Sequence, residues 1–89
     1  MSMRYDLNPP AENVIETFEK ACRDLGLKVH QGSLAKYPEC IHWHLTISRQ
    51  KGTLEGTWWS TNHTLWIEIR PNRKADWMEP VVKALVEKF

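Results

Sequence analysis

Residues 40–70 read CIHWHLTISRQKGTLEGTWWSTNHTLWIEIR, and apolar and polar side chains alternate through most of this stretch. An alternation with a period of two is typical of strands that bury one face. Two turn-like segments, 49–52 and 60–63, divide the stretch into three strands that hairpins can connect. The sequence therefore predicts an antiparallel meander. Its apolar face is made by Ile41, Trp43, Leu45, Ile47, Leu54, Gly56, Trp58, Leu65, Ile67 and Ile69.

Helical patterns flank the meander on both sides. Asn8 is a possible N-cap, and apolar residues at spacings of three and four follow it as far as Gly26, which favours a helix end. Near the other end, Asp76 and Glu79 have the spacing of a capping box ahead of a second apolar helical face. We therefore expect one amphipathic helix before the sheet and one after it.

A weaker alternation in residues 27–31 predicts a fourth strand, and residues 32–38 either extend it or form a loop. The expected element order is α-β-β-β-β-α. It corresponds to an α+β fold, a two-layer sandwich in which an antiparallel three- to four-stranded meander carries the N- and C-terminal helices on one face. A chain of 89 residues suits a single domain, 1–89.

Composition excludes several classes of protein. Lys and Arg number 12 and Asp and Glu 11, and a net charge of +1 excludes a uniformly basic nucleic-acid binder and a disordered acidic tail. No apolar run approaches the roughly 20 residues that span a bilayer, and the start of the chain lacks the apolar stretch of a signal peptide. Cys22 and Cys40 are too few for a disulfide scaffold and fit a reducing compartment. We expect a cytoplasmic protein with no membrane partner.

The sheet face opposite the predicted helices carries an unusual set of side chains. Two tryptophans, Trp59 and Trp66, lie on it together with His42 and His44. If residues 49–52 form a four-residue turn, His42 lies beside Trp59 in the neighbouring strand. The expected result is an aromatic cluster with titratable neighbours.

The second hairpin allows two registers. A turn centred on residues 62–63 pairs Glu55 with Arg70, whereas a four-residue loop sets Glu55 against Glu68. We prefer the first register because it avoids a pair of like charges. Both registers keep the two histidines and the two tryptophans in one cluster.

Positive charge gathers at one end of the predicted sheet. In an up-down-up meander, the first turn and the segment after Ile69 lie at the same end, and neither loop contains an acid. The five residues of this basic pole are Arg49, Lys51, Arg70, Arg73 and Lys74. The pole is either a solvated loop end or a contact for an anion or phosphate near the second helix.

Metal binding and catalysis are weakly indicated. Cys40, His42 and His44 can share one strand face, where alternate residues lie about 6.5 Å apart and a zinc ion could bind. Glu55 and His63 could add a ligand, but no recognisable spacing ties them to the trio, so we expect no stoichiometric zinc and no cofactor.

The sequence has no nucleophile elbow and no glycine-rich phosphate loop. A subunit of this size is also not expected to enclose a pocket of about 300 Å³ alone.

The order helix, three-stranded meander, helix resembles that of the double-stranded RNA-binding domain. Here Arg73-Lys74-Ala75 opens the last helix and Val81-Val82-Lys83-Ala84-Leu85 follows. The family's lysine motif at the start of that helix is replaced by Asp76 and Glu79, and residues 27–37 have no counterpart. The resemblance implies nucleic-acid binding by analogy of topology alone.

Three functions follow from these patterns. The first, which we expect, is a small non-catalytic binding or interaction module that uses the open sheet face, with a second copy or another protein as its partner. The second is a nucleic-acid-binding domain with tryptophan stacking and a basic pole, and the third is a metal-dependent or acid/base enzyme centred on the histidine pair. The candidate binding residues are His42, His44, Trp59, Trp66, Glu55, Arg70, Arg49, Lys51, Arg73 and Lys74.

Overall fold

The computed structural model describes residues 3–34 and 37–89, which form one antiparallel sheet and two helices. The strands are β1 (Met3–Leu7), β2 (Lys28–Leu34), β3 (Tyr37–Thr46), β4 (Leu54–Trp59) and β5 (Thr64–Ile69), and the helices are α1 (Val14–Asp24) and α2 (Met78–Lys88). The strands lie in the order β1-β5-β4-β3-β2. The α+β class and the meander β3-β4-β5 are confirmed, but the sheet has five strands where three to four were expected.

The first element of the chain is a strand and not the expected helix. β1 pairs with β5 at one edge of the sheet. Residues 8–13 then lead from this edge to α1, which begins at Val14 and is not capped by Asn8. Asn13 precedes the helix in the left-handed conformation, with φ 57°, which asparagine adopts more readily than most residues. Gly26 follows the helix with φ 83°, as its predicted role at the helix end requires.

Residues 32–38, for which the sequence allowed an extension of the strand or a loop, contribute to two strands. β2 continues through Gly32 to Leu34, and β3 begins at Tyr37, while residues 35–36 lie outside the described part of the chain. β1 and β2 occupy the two edges of the sheet. The element order that resembles the double-stranded RNA-binding domain is therefore contained in a larger sheet.

Both helices pack on one face of the sheet, as predicted. Their buried residues form a single core with the apolar side chains of that face. The ring of Phe18 in α1 lies 4.5 Å from the ring of Trp43, centroid to centroid, and the Trp43 indole Nε1 donates a hydrogen bond to Glu19 Oε2 at 2.8 Å. Gly56 lies beneath these rings, and a Cβ atom there would come within 3.0 Å of Phe18 Cζ. Glycine therefore lets the aromatic pair approach the sheet.

The two cysteines are free and buried. Burial raises the pKa of the Cys22 thiol from 9.0 to about 12, with Glu19 adding to the rise and Arg23 opposing it. Burial also raises the pKa of Cys40. No helix in residues 3–34 or 37–89 has the length and apolarity needed to cross a membrane.

The register of β3 against β4 differs from the prediction by two residues. His44 lies opposite Glu55, and His42 lies opposite Thr57 and not opposite Trp59. The shift places the Glu55 carboxylate, and not the Trp59 indole, next to the histidine pair.

Tertiary contacts of the turn explain this shift. The Thr53 N–H donates to the Arg73 carbonyl at 3.3 Å, so it is not available for pairing with β3. Gly52, with φ 99°, packs so closely on the Arg73 backbone that a Cβ atom would come within 2.7 Å of the carbonyl oxygen. The connection therefore spans residues 47–53 and is longer than a four-residue turn.

The second hairpin adopts the register that sequence reasoning set aside. Its loop has four residues and ends at His63 in the left-handed conformation, so Glu55 lies opposite Glu68 and not opposite Arg70. Contacts with other residues offset the repulsion between the two carboxylates. Glu68 accepts a hydrogen bond from the Trp66 indole at 2.9 Å, and Glu55 forms an ion pair with Arg70.

Candidate functional site

The sheet face without helices has buried polar residues at its centre. His42 is 7% exposed, Glu55 5% and Thr57 3%. They lie on β3 and β4, which have strands on both sides, and neighbouring side chains cover them in place of a helix. Burial of such groups requires that hydrogen bonds replace their contacts with water.

The polar atoms of these residues are hydrogen-bonded to one another in a continuous network. His42 Nδ1 lies 3.0 Å from Thr57 Oγ1, and His42 Nε2 lies 2.9 Å from Glu55 Oε1. The second oxygen of Glu55, Oε2, pairs with Arg70 Nε. His44 Nε2 lies 3.9 Å from Glu55 Oε1. We call His42, His44, Glu55 and Arg70 the polar cluster.

The hydroxyl of Thr57 allows two proton arrangements in this network. A hydroxyl both donates and accepts, so Thr57 can donate to His42 Nδ1 while Nε2–H donates to Glu55. In the alternative tautomer, Nδ1–H donates to Thr57, but Nε2 then directs its lone pair at the Glu55 carboxylate, which also only accepts. The 2.9 Å contact between Nε2 and Oε1 therefore favours the first arrangement unless a proton or a cation lies between the two atoms.

A cleft of about 430 Å³ opens on the same face. We call it the aromatic cleft, and it is lined by Cys40, His42, Thr57, Trp59, Trp66, Glu68 and Arg70. The cleft is open to solvent, and its volume exceeds the value of about 300 Å³ that a subunit of this size was not expected to enclose alone. The side chains of Trp59 and Trp66 are half buried, and both line this cleft within a single chain.

The two tryptophans of the aromatic cleft are held differently. Arg4 from β1 lies over the ring of Trp66, with its Cζ 4.1 Å from the ring centroid, and also pairs with Asp6 at 2.9 Å. One side of Trp66 is thus occupied within the chain. The buried Nε1 of Trp59 has no hydrogen-bond partner among the residues that the structure describes.

A second cleft, of about 340 Å³, lies on the other side of the polar cluster. Its lining residues are Gly32, His42, His44, Glu55, Arg70, Asn72 and Arg73. His42 and Arg70 border both clefts and so form the wall between them. His44 lines the second cleft and not the aromatic cleft, but its ring lies 5.1 Å from that of His42, which borders both. The two histidines and two tryptophans therefore extend over two adjoining clefts.

The loops of the basic pole meet as expected, but several of its charges are paired. The Trp77 indole donates to the Lys51 carbonyl at 2.7 Å, which joins the first turn to the segment before α2. Arg70 pairs with Glu55, and Lys74 pairs with Glu79 at 3.3 Å. For Arg49, Lys51 and Arg73, the described part of the chain offers no ion pair, and of these three only Arg73 lines one of the two clefts.

The structure separates the metal-ligand candidates of the sequence. Cys40 lines the aromatic cleft and is not part of the group formed by His42, His44 and Glu55, whose ligand atoms lie within 4.8 Å of one another. His63 packs edge-on against Trp58, 5.1 Å between ring centroids.

Sequence reasoning missed four residues that matter at this face. The candidate binding residues did not include Thr57, Glu68, Arg4 or Asn72. The alternation of Met3, Tyr5 and Leu7 with polar residues could have shown that β1 presents Arg4 to the open face. No signal in the sequence indicates Asn72, because its position depends on how the loops pack.

In comparisons with known proteins, no family model, no curated protein and no solved structure matches this chain.

Proposed function

We propose that this protein is a non-catalytic binding module that takes a flat heteroaromatic ligand in the aromatic cleft. The observation that carries the proposal is the pairing of two tryptophans with buried hydrogen-bonding groups in one concave site. Small-molecule sites combine mainly apolar walls with a few convergent polar groups in this way. The volume of about 430 Å³ suits a ligand of one to three fused rings.

The chemistry of the cleft suits the edge as well as the face of such a ligand. Trp59 and Trp66 offer large apolar surfaces for stacking. The Thr57 hydroxyl and the rim carboxylate of Glu68 can accept hydrogen bonds from ring N–H groups and from exocyclic amino groups. Arg70 is neutralised by Glu55, so the cleft has no strong preference for an anion.

The same geometry makes a face-to-face homodimer the less favoured proposal. Glu68 and Arg70 rim the cleft, and Arg4 covers one side of Trp66. Glutamate is depleted at protein interfaces, whereas arginine is enriched there. A second copy would have to bury the Glu68 carboxylate, whereas a small ligand leaves it hydrated.

Nucleic-acid binding is also less favoured. Arg70 and Lys74 of the basic pole have acidic partners, so fewer charges are available for phosphates.

The cytoplasmic compartment remains our proposal for the location, since both cysteines are free thiols.

Indole N–H signals provide the test. The protein has five tryptophans, and only Trp59 and Trp66 line the aromatic cleft. Adenine, nicotinamide and indole should be titrated into ¹⁵N-labelled protein while the five indole signals are followed by NMR. We expect at least one probe to shift the signals of Trp59 and Trp66 with a Kd near or below about 1 mM, a free energy of about −4 kcal/mol that suits a small fragment. Trp43, Trp58 and Trp77 serve as internal controls.

The variant Trp59→Leu should weaken binding at least fivefold. Uniform shifts of all five signals, or no saturable shift with any probe, would refute the ligand proposal. Sedimentation of the free protein gives a second criterion. A stable dimer that Trp66→Ala dissociates would assign the open face to a second copy and not to a small molecule.

A further inference from the structure

We infer that His42, His44 and Glu55 form a binding site for one first-row divalent metal ion, with Zn²⁺ as the reference ion. The three residues occupy neighbouring positions on β3 and β4, and their ligand atoms lie within 4.8 Å of one another. Two imidazoles and one carboxylate are ligands that such ions accept. The inference does not rest on the proposed function, although His42 also borders the aromatic cleft.

The distances suit a common ion. Zn–N and Zn–O bonds are about 2.0–2.2 Å long, so two ligand atoms on one ion lie roughly 3.0–3.5 Å apart at tetrahedral or octahedral angles. Glu55 Oε1 lies 2.9 Å from His42 Nε2 and 3.9 Å from His44 Nε2. These two distances bracket the required value, and the ligand atoms of the two imidazoles lie within 4.8 Å of each other. A rotation of the half-exposed His44 side chain towards the other two ligands would complete the site.

Neighbouring groups orient two of the three ligands. Arg70 holds Glu55 Oε2, which leaves Oε1 directed at both imidazoles. Thr57 Oγ1 lies at His42 Nδ1 and can accept its N–H, the tautomer in which Nε2 is free to bind a metal. Metal-ligating histidines generally donate their second ring N–H in this manner. When the ion replaces the proton between Nε2 and Oε1, that proton is carried on Nδ1 and Thr57 becomes the acceptor.

The second cleft gives the ion access and an open coordination position. The cleft of about 340 Å³ is lined by all three ligands. Gly32 lies opposite His42 on β2. A Cβ atom at Gly32 would have the His42 carbonyl oxygen, 3.9 Å away, as its nearest neighbour, so the space above this glycine is open. Three protein ligands with an open fourth position are typical of metal sites that bind a further ligand. Arg73 at the rim favours an anionic one.

This inference replaces the expectation of no stoichiometric zinc. That expectation rested on the absence of a spacing that ties Glu55 or His63 to the trio Cys40, His42 and His44. The observed register supplies the connection, because His44 and Glu55 are directly paired across β3 and β4.

The test uses the full chain, with Zn²⁺ titrated by calorimetry and Co²⁺ titrated with visible absorption. We expect one ion per chain. His44→Ala should weaken binding about 100-fold or more, and it should leave the fold intact because the His44 side chain is half exposed. His30→Ala is the matched control, since His30 lies opposite His44 on the same face but outside the ligand group. Circular dichroism confirms that each variant is folded.

Thr57 provides an independent arm. Thr57→Val removes the acceptor for His42 Nδ1–H and should weaken binding about 10–100-fold, whereas Thr57→Ser keeps the hydroxyl and should restore it. The inference fails if folded wild-type protein binds no ion, or if His44→Ala and His30→Ala bind equally well. A cobalt spectrum with a thiolate charge-transfer band would instead assign the ion to a cysteine and would equally overturn the site.

Discussion

Replacing Arg70 with Met is expected to destabilise the protein because it removes the main charge partner of a buried carboxylate. Glu55 is 5% exposed and would keep only its histidine contacts. Breaking a buried ion pair by removing one partner typically costs about 3–5 kcal/mol. The Arg70 side chain is 49% exposed, so water can partly replace it, and we expect a loss of about 2–3 kcal/mol. In a chain of this size, the loss corresponds to a fall in Tm of roughly 10–20 °C.

Urea unfolding followed by tryptophan fluorescence measures this loss, and a double-mutant cycle assigns it. The pair Arg70→Met and Glu55→Gln together should cost less than the sum of the two single changes, by about 1.5 kcal/mol or more. Arg73→Met is the matched control, because Arg73 lies in the same loop region and forms no ion pair within residues 3–34 and 37–89. If Arg70→Met is no more destabilising than Arg73→Met, the ion pair does not stabilise the open face.

Two further predictions concern the core. Gly56→Ala should destabilise the fold by about 1–3 kcal/mol in urea, because its Cβ would come within 3.0 Å of Phe18. Gly32→Ala, where the nearest atom is 3.9 Å away, is the control, and equal effects would contradict the close packing at Gly56. Because the pKa of Cys22 is raised from 9.0 to about 12, the unfolded chain loses the thiol proton first as the pH rises above 9. The unfolding free energy should therefore fall by up to about 1.4 kcal/mol per pH unit between pH 9 and 12, and Cys22→Ala should show a smaller slope in pH-dependent urea titrations.

The faces of the strands and helices could be predicted from the sequence because burial imposes a local period. Trp43 and Trp58 lie in the core and Trp59 and Trp66 on the open face, as the alternation indicates. A side chain on the wrong face would expose apolar area or bury an unpaired polar group, so the pattern is strongly constrained. β1 has the same alternation but is only five residues long, too short for its pattern to stand out.

The register could not be predicted, because it depends on contacts between distant parts of the chain. The Thr53 N–H bonds to Arg73, a residue from the loop before α2, and this contact lengthens the first turn. A two-residue change of register keeps every side chain on its face, so the periodicity of the sequence does not distinguish the alternatives. The polar cluster depends on this register, since only the observed pairing sets Glu55 against His44.

The pairing of β1 with β5 also affects how the protein folds while it is being synthesised. The strand at residues 3–7 leaves the ribosome before its partner at residues 64–69, which follows some sixty residues later. At about 5–20 residues per second, β1 waits for several seconds, and the other four strands can associate before it docks. Contacts between such distant segments form slowly, because closing the intervening loop costs entropy. Arg4, which covers Trp66, therefore reaches its position only when the last strand of the sheet is in place.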